Sequence, residues 1–204
     1  MTLPKVAALF FAPTGQYVEA RLAELTAELI ERRIQVDWWA DRDLRDSLDP
    51  LPIDRYWDWS EMKIEYGGRL LAAQKIGITT GDGAVQGAMM MSSEPVPSVL
   101  AAAASALFVE LLFTAPRNRP ALRRDGKPFF VGVGTELLTC AAAISRDGGC
   151  DGRLVLDGSP EFVSWYEKRG LQKLKSKPMV FEGVAYTPME LPPAAAKRLL
   201  KGWK

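Results

Sequence analysis

Lys127–Ser145 reads KPFFVGVGTELLTCAAAIS, an apolar strand-like run that becomes a helix-like one across Gly132 and Gly134. Glycines so placed suit a dinucleotide fingerprint, a nucleotide P-loop, a loop for another phosphorylated carrier, or a turn that binds nothing. A dinucleotide fingerprint needs a third glycine three residues after the second, where Leu137 stands, and an acid ending the next strand, which Asp157 supplies. Without that glycine the match is weak. A P-loop needs Gly-Lys-Ser/Thr, and Gly134-Thr135 has no lysine between, so that match fails. General physics survives: glycines before a helix let backbone approach an anion, and first-turn N–H groups lack an intrahelical partner. The helix dipole adds roughly 0.3–2 kcal/mol for an anion there, and charge-assisted hydrogen bonds about 1.5–3 kcal/mol each.

The 204 residues suit one sizeable domain spanning 1–204, with the 48% hydrophobic and 25% charged content of an ordinary globular protein. A net charge of +1 does not favour a nucleic-acid partner. Histidine is absent, which removes Ser-His-Asp triads, Cys-His pairs and HExxH zinc sites. Catalysis at neutral pH then falls to a carboxylate of raised pKa, a Tyr, a Lys or an ordered water. Cys140 and Cys150 are the only cysteines, so no four-ligand metal site and no disulfide framework is expected. Reduced thiols and a cytoplasmic location follow. LPKVAALFFAP, with only Lys5 before its apolar run, reads as a first strand rather than a leader. VLAAAASALFVELLFTAP holds Glu110, costly in lipid, so no membrane is expected and its second half reads as a buried strand.

Outward from these stretches, TGQYVEARLAELTAELIERR places Val18, Leu22, Leu25 and Leu29 at i, i+4, i+7 and i+11, which predicts an amphipathic helix. A loop-rich, acidic and aromatic segment follows. AAQKIGITTGDGAVQGAMMM predicts a hairpin turning at Gly81-Asp82-Gly83, and SSEPVPS predicts a break before the strand ALFVELLF. The glycine-led helix carries Leu137, Ala141 and Ile144 on one face and should end at Gly148-Gly149. GRLVLD predicts a strand. SPEFVSWYEKRG predicts a helix with Ser159 as cap, Pro160 in the first turn and Gly170 as stop. LQKLKS and MVFEGVAYT predict a closing hairpin. The order implies an α/β (α+β) arrangement, a mixed sheet flanked by helices rather than a regular doubly wound fold.

From about Leu107 to Leu174 the series FVELLFTAP … VGVGTELL … GRLVLD … FVSWYEKRGL resembles the core of the GNAT acyltransferases. Leu112-Phe113-Thr114-Ala115-Pro116 is similar to the family's L-aromatic-V-x-P, with threonine for valine. Gly132-Val133-Gly134 is similar to its Q/R-x-x-G-x-G/A loop, which opens a helix on a diphosphate. Tyr166 and Gly170 match a helix with a tyrosine shortly before its closing glycine. Phe129 stands at the Gln/Arg position, and the connection from Pro116 to Gly132 is longer than usual. Its Arg117, Arg119, Arg123, Arg124 and Lys127 either meet phosphates or form a solvated loop.

The resemblance implies an N-acetyltransferase in which an amine attacks acetyl-CoA directly. It places the cofactor on Val131, Gly132, Val133, Gly134 and Thr135, with free amides around Phe113 and Thr114 aligning the thioester. Tyr166 is implied as the acid for the departing thiolate, against a plain core aromatic. A phenol of pKa about 10 suits a thiol near roughly 8.5. Glu110, the one ionisable side chain in its strand, is the candidate base, since an apolar strand should raise its pKa; the alternative is a solvent-facing or structural carboxylate. An acidic, aromatic acceptor region is read from Asp37, Asp41, Asp43, Asp46, Asp49, Asp54, Asp58 and Glu61, set against Arg42, Arg45 and Arg55. Trp38, Trp39, Tyr56, Trp57 and Trp59 are interleaved with them. That region would suit a cationic amine, but turn chemistry plus core tryptophans is the commoner origin of such a mix. The alternative function is a catalytically silent CoA-binding or scaffold module. Acetyl-CoA and an amine are the implied partners, and a homodimer stays open.

Overall fold

The computed structural model of the chain describes residues 7–41, 44, 53–201 and 203. The first expected helix is mostly a hairpin. β1 (Ala7–Phe11) and β2 (Gln16–Glu24) pair antiparallel, with Leu9 opposite Val18 and Ala7 opposite Ala20. Val18, Ala20 and Leu22 pack on the core at a spacing of two, while Tyr17, Glu19 and Arg21 are exposed. Val18 and Leu22 are four apart, a spacing that puts residues on one face of a strand and of a helix alike. Pairing with β1, through a turn in which Gly15 has φ 68°, selects the strand. Helix begins only at α1 (Ala27–Leu29), where Thr26 Oγ1 accepts the Leu29 N–H at 3.3 Å, and it widens into a π-helical stretch, Ile30–Val36.

After single 3-10 turns at Asp37–Trp39 and Ile53–Tyr56, β3 (Ile64–Tyr66) and β4 (Arg69–Leu71) form a small separate hairpin. β5 (Ala73–Thr80) and β6 (Val85–Pro97) turn at Gly81-Asp82-Gly83 as the sequence predicts. Asp82 Oδ1 closes that turn, accepting Thr80 Oγ1 at 2.6 Å and the Ala84 N–H at 3.1 Å. The break expected at SSEPVPS is absent, because β6 runs through it. β5 leaves β6 at Ser92, so Pro95 and Pro97 have a strand on one side only, where a missing N–H is tolerated.

β7 (Ser105–Thr114) leads through the arginine-rich loop to β8 (Phe130–Val131) and α2 (Val133–Ser145), which continues through Arg146–Cys150 to a turn at Gly149, φ 83°. β9 (Leu154–Gly158), α3 (Val163–Glu167), β10 (Gln172–Lys173), β11 (Met179–Phe181), β12 (Val184–Leu191) and α4 (Pro193–Leu199) complete the chain. Two sequence expectations shift here. Ser159 does not cap α3 through its side chain; its carbonyl accepts the Phe162 and Val163 N–H groups instead. The closing hairpin turns inside MVFEGVAYT, between β11 and β12, and β10 pairs with β12 separately.

The large sheet runs β10-β12-β9-β7-β6-β5-β2-β1-β8, with β11 attached to β12. Its β7–β9 pair is parallel and the other pairings are antiparallel. A parallel pair needs a crossover, and α2 supplies it. Each face carries its own core. Met89 and Met91 pack with α2 and α4, whereas Met90 packs with Trp38, Trp59 and Ile34 on the other side. All three methionines are fully buried, at about 1.5–3 kcal/mol each. Cys140 and Cys150 are free, buried thiols, and burial pushes Cys140 up to about 12. No helix among the described residues is long and apolar enough to cross a membrane.

Candidate active site

β7 and β9 pair at Leu107–Leu154, Phe108–Val155 and Val109–Leu156, and then part, although β7 runs on to Thr114. At the same point β7 bulges. Met91 lies opposite Val109 and Met90 opposite Leu111, which leaves Glu110 unopposed. A bulge residue breaks the alternation of side chains, so Leu107 and Val109 join the α2-side core while Leu111 joins the other. Glu110 therefore stands at the fork, half-buried. Asp157, the first β9 residue beyond the pairing, faces it electrostatically. Burial first, then the Asp157 charge, holds the Glu110 carboxyl up to about 7. Burial also raises Asp157. In the sequence Asp157 drew notice only as the acid ending the strand after a weak dinucleotide fingerprint; its place beside Glu110 depends on strand pairing.

The parting strand leaves backbone groups without a ladder. The Ala115 N–H donates to Gln86 O at 2.8 Å. Alternation along the antiparallel β6–β7 ladder then engages Phe113 and Leu111 with β6 and turns the N–H groups of Leu112 and Thr114 toward the β9 side. Of the two amides expected to be free, Thr114 has that orientation, and Leu112 takes the place of Phe113. The Phe113 ring packs edge-on against Trp57 and Trp59.

Gly132 is the N-cap of α2, at φ 95°, a left-handed conformation that glycine adopts without strain. Among the described residues no side chain caps the helix. Glu136 N–H returns to Gly132 O, so the amides of Val133, Gly134 and Thr135 are those the helix itself does not use. Val131 and Gly132 are exposed, Gly134 and Thr135 half-buried, and Val133 buried. A Cβ on Gly134 would lie 3.3 Å from Trp165 Cζ2 and 3.8 Å from Leu112 Cδ2. The first turn of α2 thus lies between β7 and α3, over the fork.

α3 and the turn after it bring three side chains to this place. Tyr166 is buried against Gly158 at the end of β9; a Cβ there would meet its ring at 3.4 Å. Burial pushes the phenol up to about 12, with the Arg169 charge opposing. Trp165 flanks Gly134. Arg169 stacks on Trp165 at 3.6 Å and donates from Nε and Nη2 to Thr135 Oγ1, at 3.1 and 2.8 Å. Sequence reading missed Arg169. Its position one residue before Gly170 was legible, but its reach to Thr135 was not.

The loop arginines are largely built into the fold. Arg119 pairs with buried Asp54 and donates to Thr114 O at 2.7 Å. Arg123 pairs with Asp125, and Arg124 Nε donates to Leu44 O. Arg117 donates to Gln86 Oε1, and Lys127 is exposed. Part of the acidic, aromatic segment is used in the same way. Trp38 and Trp59 are core residues, Asp37 pairs with Arg33, and Asp58 accepts from Ser60 and Gln35. Asp43, Asp46, Asp49, Arg42 and Arg45 lie outside the described residues, as does Lys5.

No protein-family model matches the chain, and no curated protein matches it. Solved structures do. The GNAT domain of S. lividans PAT is similar over 91% of this chain and 97% of that domain, at 18% identity and a TM-score of 0.51. Nourseothricin acetyltransferase is similar over 59% of this chain and 65% of its own, at 20% identity and a TM-score of 0.43. An acetyltransferase from Bacillus cereus is similar over 58% and 71%, at 16% identity and a TM-score of 0.42. The forked sheet, the crossover helix and the match to the first of these over 91% of the chain define the class: the chain has the fold of the GNAT acetyltransferases.

Proposed function

We propose that the protein is an N-acetyltransferase that moves an acetyl group from acetyl-CoA to a primary amine by direct attack within a ternary complex. The observation that carries this reading is the fork between β7 and β9, with an uncapped helix N-terminus above it and a carboxyl of near-neutral pKa at its apex. The amides of Val133, Gly134 and Thr135, with the Arg169 guanidinium beside them, suit a diphosphate. Val131 and Gly132 form its exposed rim. The pantetheine arm fits the fork, where the Leu112 and Thr114 amides can hold it.

The amine nitrogen attacks the thioester carbonyl carbon, the carbon–sulfur bond breaks, and the amine proton passes to Glu110. With a pKa of about 7, Glu110 is part-ionised at neutral pH and basic enough for that task. Tyr166 donates a hydrogen bond to the departing sulfur. Full transfer of its proton is uphill, since a phenol at about 12 faces a thiol near roughly 8.5, a gap of about 5 kcal/mol. The role is therefore stabilisation of the thiolate, with solvent supplying the proton. Two buried thiols and no disulfide suit the reducing cytoplasm.

The test is thermal denaturation with acetyl-CoA, followed by an acetyl-transfer screen over primary amines. Acetyl-CoA at about a hundred times its dissociation constant should stabilise the fold by roughly 2.7 kcal/mol. Stabilisation with no turnover on any amine would leave the silent binding module; no stabilisation would refute both readings.

A further inference from the structure

On the sheet face opposite α2, at the end where β6 begins and β7 finishes, lies a cleft of about 360 Å³ whose walls include Arg33, Asp37, Trp38, Asp41, Arg117 and Phe129. Its distinctive group is Arg117. The guanidinium lies over Phe129 at 5.1 Å and Phe130 at 5.9 Å. Its Nε donates to Gln86 Oε1 at 3.1 Å. Gln86 is itself fully buried and held on three sides. Its amide donates to Thr80 Oγ1 at 2.8 Å, its backbone oxygen accepts Asn118 Nδ2 at 2.9 Å, and its Oε1 accepts the same nitrogen at 3.2 Å. Asn118 is locked in turn by the Phe130 N–H.

A buried polar network thus fixes the plane of one half-buried guanidinium. Its two terminal nitrogens have no hydrogen-bond or ion-pair partner among the described residues. The neighbouring carboxylates do not fill that role. Asp37 is paired with Arg33 at 2.8 Å, Asp82 is held in the β5–β6 turn, and Asp41 and Asp82 act on Arg117 only through charge. Arg123, 5.7 Å from the Phe129 centroid, adds a second positive charge nearby. A guanidinium held flat by its Nε in the wall of a cleft, its terminal nitrogens unengaged among the described residues, can present two parallel donors at the spacing of two oxygens of one anion.

We propose that this cleft is a binding site for the oxyanion of a small molecule, a carboxylate or a phosphate held bidentately by the terminal nitrogens of Arg117. Trp38 and Phe129 give the rest of the ligand apolar walls, and the Arg33–Asp37 pair forms the polar rim. Two sources fit this chemistry: the 3′-phosphate of coenzyme A, or a separate carboxylate- or phosphate-bearing compound.

The experiment uses the full chain at low ionic strength. Inorganic phosphate and acetate are titrated while the Arg117 Nε–H resonance is followed by NMR, and phosphate affinity is compared in Arg117→Gln, Arg117→Lys and the exposed control Arg146→Gln. Phosphate should shift the Arg117 signal saturably. Its affinity should fall at least tenfold in Arg117→Gln, fall less in Arg117→Lys, and stay unchanged in the control. A flat Arg117 signal, or equal phosphate affinity in Arg117→Gln, overturns the proposal. Coenzyme A and its 3′-dephospho form separate the sources. A tenfold preference for coenzyme A that vanishes in Arg117→Gln assigns the site to the 3′-phosphate. Equal affinities, with phosphate still titrating at Arg117, assign it to a separate molecule. The phosphate titration reads the site whether or not coenzyme A binds.

Discussion

Glu110 has two measurable consequences that follow from one cause, its burial at the bulge. As a base it must be ionised, so turnover should rise with pH through about 7. Glu110→Gln should lose roughly 10²–10⁴-fold in turnover and the acidic limb of the pH–rate profile with it; a surviving limb would remove it from the chemistry. Stability moves in the opposite sense. A carboxyl whose folded pKa lies above the unfolded value of about 4.3 binds its proton more tightly when folded. The fold is then most stable, as far as this group is concerned, below that value, and loses stability as pH rises toward 7. Glu110→Gln should match the native protein in thermal unfolding near pH 4 and exceed it at pH 8. The margin should be on the order of 1–2 kcal/mol, allowing for solvent screening of a partly exposed group. Tyr166→Phe is different: it removes only an oxygen from a buried ring. Steady-state kinetics should show lower turnover at an unchanged KM for acetyl-CoA, and unaltered turnover would mark Tyr166 as a core aromatic.

At the scale of elements, the site depends on how closely α2 lies on the sheet. Gly87 in β6 makes that approach possible, since a Cβ there would sit 2.6 Å from Val133 Cγ1 and 3.0 Å from Phe113 O. Backbone on one side and the first turn of α2 on the other leave little room to yield. Gly87→Ala should destabilise the fold by about 1–3 kcal/mol in chemical denaturation and weaken acetyl-CoA binding, because the displaced turn is the proposed diphosphate seat. An alanine protein of native stability would show that α2 can shift freely. Elements differed in how far their residues announced them. β5, β6, α2 and β9 were legible because apolar runs met glycine turns, and β7 because its apolar run stops at Pro116. β2 was not, because Val18 and Leu22 satisfy two periodicities at once and only pairing with β1 decides between them. β6 ran past its prolines because its neighbour ended first, a fact about β5 rather than about SSEPVPS.

Across the whole molecule, one ligand should bind three separate stretches together. Acetyl-CoA bound as proposed touches β7, the first turn of α2 and α3. Hydrogen exchange should therefore slow in Leu112–Thr114, Val133–Thr135 and Trp165–Arg169 at the same ligand concentration, while β11 and β12 stay unaffected. Protection at α2 alone would argue for an anion site without the pantetheine path.

The residue order alone determined the glycine-led helix, the apolar strand with its single carboxyl and the absence of imidazole chemistry. These are local properties, set by backbone freedom, side-chain type and periodicity. Tertiary structure decided where β7 leaves β9, that Asp157 stands beside Glu110, that Leu112 rather than Phe113 turns its amide into the fork, and that Arg169 reaches Thr135. Each of those depends on strand register or on contact between residues far apart in the chain, and no spacing within a short stretch encodes such a meeting.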